Sequence, residues 1–327
     1  MRNVQLDHVV ELPVLGVRVT FRTNRTAILD AIDESYGMWR ELAGWPSLIG
    51  TDRVTVTIIE HEDPAFTANA AQADSEFRFR MPDRERVITH SRGSVGIVDT
   101  RRGDAIAYVT PRLVADRERL RRGIIEGMTL TLATVHDRLP IHGAMIARDG
   151  VALVLSAPSG VGKSTLAYQA SRDGWTLLGD DAMYVQTTPA VRYWGIPRHV
   201  LLSADAPSIF AEVSDRSATA QASGKSKIAI DRTHDWGKFG PPCVEDVAVV
   251  LLTRGVGAAA IDPVPPAALQ AALLKELAQV SDLYGDLPGR ALPSLCARGG
   301  WRLSLTSRPG DAAPLLDQLA ATLRRTR

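Results

Sequence analysis

Cysteine is scarce. The chain holds only Cys243 and Cys296, too few for a disulfide framework or a cysteine-rich zinc site, so an ordinary core must hold the fold and a reducing cytoplasm is the expected home. Charge of one sign is scarce as well: Lys+Arg number 38 against 37 for Asp+Glu, and a formal charge of +1 removes bulk attraction as a way of gripping nucleic acid. The longest apolar runs, such as Ala248 to Leu252, reach strand length and fall far short of the ~20 residues of a membrane-spanning helix. Asp7 and Glu11 interrupt the N-terminus where a secretion signal would need an unbroken apolar stretch. None of the histidines forms an H-x-x-x-H pair, so metal binding by helical histidines is not indicated. Internal repeats and low-complexity tracts are missing. What remains is 327 residues at 45% hydrophobic and 23% charged, enough for one large or two ordinary globular domains with a real core. The expectation is a cytoplasmic, soluble protein without nucleic-acid or membrane partners, and homo-oligomerisation is left open.

Periodicity divides the chain. In the first third, Val54, Val56 and Ile58 alternate with Arg53, Thr55 and Thr57, and Phe77 and Phe79 alternate with Glu76, Arg78 and Arg80, as in half-buried strands. Between the N-terminus and these strands, Ile28, Leu29, Ile32, Tyr36 and Trp39 recur at helical spacing after Asn24, read as the N-cap, with Gly44 and Pro46 as the stop. Strands are expected near Arg86 to Thr89, Ser94 to Val98 and Asp104 to Val109. A longer helix is expected from Asp116 to about Val135, because Leu120, Ile124, Met128 and Leu132 recur every fourth residue, with Pro140 as its end.

A boundary near Leu139 separates an N-terminal α+β module, 1–138, from a second domain, 139–327. There, Ile141 to Ala147 and Val151 to Leu155 flank Asp149-Gly150, a strong hairpin signal. A Gly-containing loop, a helix and the strand Trp175 to Leu178 follow. Ile196 to Gly240, rich in Ser, Ala, Gly and Pro, reads as containing a mobile loop. Asp246 to Thr253 reads as a buried strand, Ala267 to Ala278 as a helix, Trp301 to Leu305 as a strand and Asp311 to Arg325 as a closing helix.

The stretch with the most chemistry is Ala157-Pro158-Ser159-Gly160-Val161-Gly162-Lys163-Ser164, which fits the phosphate-binding pattern G-x-x-x-x-G-K-[ST] except for Ala157 at the first glycine. That position only turns the chain out of a strand, whereas Gly160 and Gly162 lie where backbone amides must approach phosphate oxygens. An apolar strand enters and a helix leaves, which adds a helix N-terminus to the anion site. Lys163 would reach the β- and γ-phosphates, Ser164 would ligate Mg²⁺, and Ser159 to Thr165 (Ser159, Gly160, Val161, Gly162, Lys163, Ser164, Thr165) form the nucleotide contact set. A Gly/Ser turn could match by accident, but the flanking strand and helix argue against that. Ser223-Gly224-Lys225-Ser226 also contains Gly-Lys-Ser; without a preceding strand or a following periodic helix it is not a second loop. Lys225 and Lys227 could still fold over a bound phosphate, though a solvated loop charge is the plainer reading.

Gly179-Asp180-Asp181 closes the strand after the loop helix. A strand lying parallel beside the loop strand would deliver both carboxylates to the γ-phosphate edge of the sheet. There one carboxylate can hold Mg²⁺ and the other can take the proton of an attacking hydroxyl. A solvated Asp-Asp turn is the competing structural use. His142 opens the preceding strand and by itself would be an ordinary packed or solvated histidine.

Together, His142-Gly143-Ala144, the loop 157–164 and Gly174-Trp175-Thr176-Leu177-Leu178-Gly179-Asp180-Asp181 resemble the catalytic core of the HPr kinase/phosphorylase superfamily, with intervals of 21 and 17 residues (163 − 142 and 180 − 163). The resemblance covers about forty residues and three motifs in fixed order. It implies an α/β phosphate-loop kinase core of the HPr kinase/phosphoenolpyruvate carboxykinase type that uses ATP and Mg²⁺ to phosphorylate a serine hydroxyl. By that resemblance Asp180 matches the general base, Asp181 its acidic partner and, with Ser164, the metal position, and His142 the histidine beside the γ-phosphate. The glycine-rich segment that the classical enzyme carries after the Asp pair is missing, and Arg192-Tyr193-Trp194-Gly195-Ile196-Pro197-Arg198 stands there instead. This puts phosphorolysis and HPr itself in doubt. It also makes the chain look more like the divergent HPr-kinase-like proteins of peptide-modification systems, some of which phosphorylate lasso-peptide precursors. The N-terminal third lies outside the resemblance, and substrate presentation or assembly is its expected role.

The resulting expectation is an ATP- and Mg²⁺-dependent serine kinase acting on a peptide or small protein. Loop amides would cradle the phosphates, Asp180 would accept the proton and Arg198 would steady the transferring group. A kinase of a small hydroxylated metabolite is the rival within enzymes, because the motif does not report acceptor size. A non-catalytic ATP-binding regulatory or assembly protein is the rival outside them, although such a protein has no need of a base at the γ-phosphate.

Overall fold

The computed structural model describes residues 4–61, 77–83, 85–91, 93–196, 198–220, 226–231, 242–277 and 284–325. The chain divides into two compact units, Met1–Arg138 and Leu139–Arg327. Both mix helices with sheet.

The first unit is built on a seven-stranded sheet. Its strands are β1 (His8–Val14), β2 (Val17–Thr23), β3 (Arg53–Glu60), β4 (Arg78–Arg80), β5 (Arg86–Ser91), β6 (Ser94–Asp99) and β7 (Asp104–Val109), in the order β1-β2-β3-β7-β6-β5-β4. Helix α1 (Thr26–Tyr36) links β2 to its parallel neighbour β3. Strand alternation has its expected cause: Val54, Val56 and Ile58 are buried while Thr55 and Thr57 stay partly open.

Three sequence expectations change here. Asn24 does not cap α1. Arg25 occupies that position without a side-chain cap, and the Asn24 amide instead bridges to Glu60, donating to its carbonyl at 3.0 Å and accepting from its N–H at 2.9 Å. Tying the end of β3 satisfies a strand's backbone groups that the helix start could not reach.

The helix expected from Asp116 is not uniform. Asp116 does cap it, accepting from the Arg119 N–H, and a π-helical stretch, Leu120–Glu126, precedes α2 (Gly127–Thr134). A four-residue repeat outruns the 3.6-residue turn by about 40° per step. The wider π turn absorbs that drift and keeps Leu120, Ile124, Met128 and Leu132 all buried. Pro140 does not end this helix, which stops at Thr134; the proline lies inside the next strand.

The second unit has a larger sheet whose strands lie in the order Cys243–Val244, Arg192–Gly195, Ala182–Gln186, Arg138–Arg148, Val151–Ser156, Ala248–Arg254, Gly300–Leu305 and Ala260–Val264. Its centre is the hairpin β8 (Arg138–Arg148) and β9 (Val151–Ser156), whose turn residues Asp149 and Gly150 both take positive φ. Helix α3 (Lys163–Arg172) and β10 (Thr176–Gly179) follow, then β11 (Ala182–Gln186) and β12 (Arg192–Gly195). β10 is not next to the loop strand. It pairs antiparallel with β8, which itself runs antiparallel to β9, so β10 points the same way as β9 from one strand further out.

The segment read as a mobile loop contains a small antiparallel sheet of β13 (His199–Ser203), β14 (Thr219–Ala220) and β15 (Ser226–Asp231). Val200, Leu202, Ile228 and Ile230 bury its inner face in the core. Gly-Ser-rich sequence around it hid this pairing. Ser223, Lys225, Pro197 and 232–240 lie outside the described residues.

After β16 (Cys243–Val244), strand β17 (Ala248–Arg254) runs parallel to β9 and to β19 (Gly300–Leu305), with β18 (Ala260–Val264) on the outer edge. Helices α4 (Pro266–Leu277), α5 (Leu287–Cys296) and α6 (Ala313–Arg325) complete the unit. Alternate residues of β9 serve two cores. Leu153 and Leu155 join α3 and α6 on one face, and Ala152 and Val154 join α4 and α5 on the other. A sheet covered on both faces explains why every β9 residue is buried and its sequence is a plain apolar run.

Candidate active site

The end of β9 and the start of α3 flank the loop that carries the phosphate-binding pattern. Gly160 and Gly162 have φ of +89° and +126°, values that L side chains rarely adopt. Ala157, in place of the first glycine of the pattern, is not among the positive-φ residues, so a methyl group costs no strain there. Lys163 is the first residue of α3, and its Nζ donates to the Ala157 carbonyl at 2.6 Å and the Pro158 carbonyl at 3.3 Å. The lysine thus folds back over its own loop. Burial holds its ammonium below the ordinary lysine range; Asp180, Asp181 and Glu276 pull the other way, and Lys227 adds to the lowering.

The next residue makes the connection to the acidic pair. Ser164 Oγ donates to Asp180 Oδ1 at 3.0 Å, and the Leu201 N–H, from β13, donates to Asp180 Oδ2 at 3.1 Å. Asp180 is 7% exposed, and burial pushes its carboxyl above the usual aspartate range, opposed by these two donors. Close backbone packing sets its position: a Cβ on Gly195 would stand 2.0 Å from the Leu178 carbonyl, so β12 can cross the end of β10 only as glycine.

Asp181 differs in backbone conformation and exposure. Its φ is +72° and its side chain is 70% exposed. His142 Nδ1 donates to the Asp181 carbonyl at 2.8 Å and lies 3.6 Å from Asp181 Oδ1, which leaves Nε2 for another partner. Gly143 N–H also reaches the Asp181 carbonyl, at 3.3 Å. The loop, Ser164 and Asp180 thus form one connected set, and His142 joins it through Asp181. Within it, the carboxylate that meets Ser164 is that of Asp180; Asp181 is turned to His142. Ser164 Oγ and Asp180 Oδ1 are hard oxygen donors of the kind Mg²⁺ takes alongside phosphate oxygens and water, so this pair fits the ion. Among the described residues, no group of three or more His, Cys, Asp or Glu forms a self-sufficient metal site.

Arg198 Nε donates to His199 Nδ1 at 3.2 Å, at the start of β13. The guanidinium that stands against Gly162 of the loop is that of Arg254. Parallel pairing sets Leu251 of β17 beside Ser156, so Arg254, three residues on, stands level with the loop. Its Nη2 lies 3.3 Å from the position of a Cβ on Gly162, and its Nη1 donates to the Thr306 carbonyl at 2.6 Å. Arg254, Leu201 and Glu276 carry no local sequence signal. Each reaches the site through strand pairing or helix packing far along the chain.

Among the described residues no helix is long and apolar enough to cross a membrane. The family model of the SynChlorMet cassette protein ScmC matches residues 124–199, which include His142, the phosphate loop and Asp180-Asp181. No curated protein matches the chain. Among solved structures, the Hpr(Ser) kinase/phosphatase from Coxiella burnetii is similar at 13% identity and a TM-score of 0.21, covering 36% of this chain and 66% of that one.

Proposed function

We propose that the second unit is an ATP- and Mg²⁺-dependent phosphotransferase of the HPr-kinase-like kind, moving the γ-phosphoryl group of ATP to a serine hydroxyl of a peptide or small protein. The observation that carries this reading is the 3.0 Å contact between Ser164 and Asp180, which joins a phosphate loop to an acidic pair and its histidine. A turn that bound no phosphate would have no use for a buried carboxylate at the first turn of α3. The ordered motifs His142, 157–164 and Asp180-Asp181 support the kinase class, and a peptide acceptor in the manner of lasso-peptide precursors follows from the motif resemblance.

Backbone N–H groups of Ser159 to Ser164 would cradle the phosphates, and Lys163 would exchange its two carbonyl partners for phosphate oxygens. Ser164 and Asp180 would hold Mg²⁺, which neutralises charge on the phosphate oxygens when bound. Burial and hydrogen bonding divide the aspartates. Both Asp180 oxygens are engaged away from solvent, so the proton acceptor is Asp181, the exposed carboxylate beside His142. The acceptor Oγ attacks the γ-phosphorus as its proton passes to Asp181, the bond to the β-bridging oxygen breaks, and ADP leaves. Arg254, level with the loop, takes the charge-stabilising part assigned to Arg198 by sequence. Incubation with γ-labelled ATP and serine peptides tests the reading: Asp181→Asn keeps nucleotide affinity and loses transfer, and undiminished transfer by both Asp181→Asn and Lys163→Ala refutes it.

A further inference from the structure

Beside the acidic pair opens a cleft of about 250 Å³ that the mechanism above does not use. Its walls are Pro140, Ile141, Ser156, Ala182, Leu273, Leu277 and Tyr284, and its mouth carries His142, Asp181 and Glu276. Three things about this arrangement bear on an occupant. The walls come from the start of β8, the end of β9, the start of β11, the last turns of α4 and Tyr284 just before α5, and Ile141, Leu273, Leu277 and Tyr284 pack in the same core, so the cleft is preformed. The wall leucines are buried, Leu273 at 1% and Leu277 at 7% exposure, and the wall side chains offer carbon surface except at the Ser156 and Tyr284 hydroxyls. The mouth lies at the exposed carboxylate that receives the proton, and Glu276 is near enough to Lys163 to act on its charge.

We propose that this cleft receives an apolar side chain of the phosphoacceptor, an aliphatic residue adjacent in sequence to the serine, and that Glu276 at its mouth disfavours acidic neighbours. This deepens the kinase reading and rests on it. A hydroxyl held at Asp181 has its chain neighbours within a few ångströms, and a neighbour that points inward meets carbon on nearly every side. Filling the cleft would fix the hydroxyl's approach, since an anchored residue next to the reacting group turns binding into orientation. Base-edge recognition of a nucleotide would call for several polar groups deep in the cleft, and away from its mouth the lining side chains offer the Tyr284 hydroxyl and that of Ser156, which donates to the His142 carbonyl at 3.4 Å.

The test is a set of fluorescein-labelled serine heptapeptides with alanine, leucine, phenylalanine or aspartate on either side of the serine. Phosphorylation is measured with ATP, and binding by fluorescence polarisation with a non-hydrolysable ATP analogue. Leucine next to serine should exceed alanine by about 10–200-fold in kcat/KM, the range for one or more methylenes in an apolar pocket. Aspartate should be poorest, with Glu276→Gln narrowing its deficit. Ala182→Leu shrinks the cleft and should shift the ranking toward alanine, while Leu277→Ala enlarges it and should shift the ranking toward phenylalanine. A ranking is read within each variant, so partial loss of folding or activity does not disturb it. The same ranking in binding without any transfer upholds the cleft and rejects the kinase reading. Equal handling of all peptides, binding of none, or variants that change only ATP affinity overturns the proposal.

Discussion

Replacing Asp180 by asparagine should abolish phosphoryl transfer and make the second unit more stable near neutral pH. The carboxylate is buried and its two oxygens accept from Ser164 and Leu201. Asparagine can keep both contacts: its carbonyl accepts the Leu201 N–H, and its amide donates to the Ser164 hydroxyl, which accepts as readily as it donates. Trading two charge-assisted bonds for neutral ones gives up about 1 kcal/mol each. Removing an ion from the interior recovers several kcal/mol on the same order-of-magnitude scale. Lys163 retains Asp181 and Glu276 as counter-charges. The net gain is about 1–3 kcal/mol, or ~2–12 °C in the melting temperature of a domain this size.

The pH dependence gives the sign independently. Burial raises the folded-state value above the ordinary 3.8, so the folded protein binds this proton more tightly than the unfolded chain. Stability from the group is fully present below the unfolded value and is lost as pH rises through the folded one. The advantage of Asp180→Asn should therefore shrink as pH falls from neutral toward about 4, where the wild-type carboxyl becomes neutral too. Differential scanning calorimetry of both proteins across that interval measures it. A variant that melts well below wild type at neutral pH, or an advantage that grows on acidification, would refute the account of Asp180 as a charge held at the fold's expense for catalysis.

Other outcomes follow from the same geometry. Lys163→Ala should weaken binding of a fluorescent ATP analogue by about 10–100-fold, the worth of one or two hydrogen bonds from a charged donor, while circular dichroism stays unchanged. Arg254→Ala should lower kcat about 100-fold with a smaller change in nucleotide affinity, and Arg254→Lys should restore only part of it, since an ammonium cannot keep the Thr306 contact and face the loop together. An unchanged kcat in Arg254→Ala would return the charge-stabilising part to Arg198.

Much of the site was legible because its signals are local. A positive-φ glycine pair before Lys163-Ser164, a preceding apolar strand and Asp149-Gly150 at a hairpin turn are each written in a few adjacent residues, and short-range sterics decide them. Even at this scale local signals mislead when tertiary needs intervene. Asn24 has the right side chain for a cap, yet it serves the end of β3, and a four-residue apolar repeat became a π turn because burial outweighed regular helix geometry. The strand His8–Val14 went unread because its turn sets Leu15 at φ +52°, a conformation that leucine does not announce.

The amino-acid order by itself carried the phosphate-binding pattern at the start of α3 and two carboxylates about one helix and one strand later. Only the tertiary structure decided how the two carboxylates differ: Asp180 is buried and accepts from Ser164 and Leu201, while Asp181 is exposed beside His142. Inserting β8 between β9 and β10 sets how far the acidic pair stands from the loop, and β13, some twenty residues on, closes over Asp180 and leaves Asp181 in solvent. Two identical side chains differ because desolvation and hydrogen-bond donors are properties of the neighbourhood, and that neighbourhood is assembled from segments whose sequence separation hides their contact.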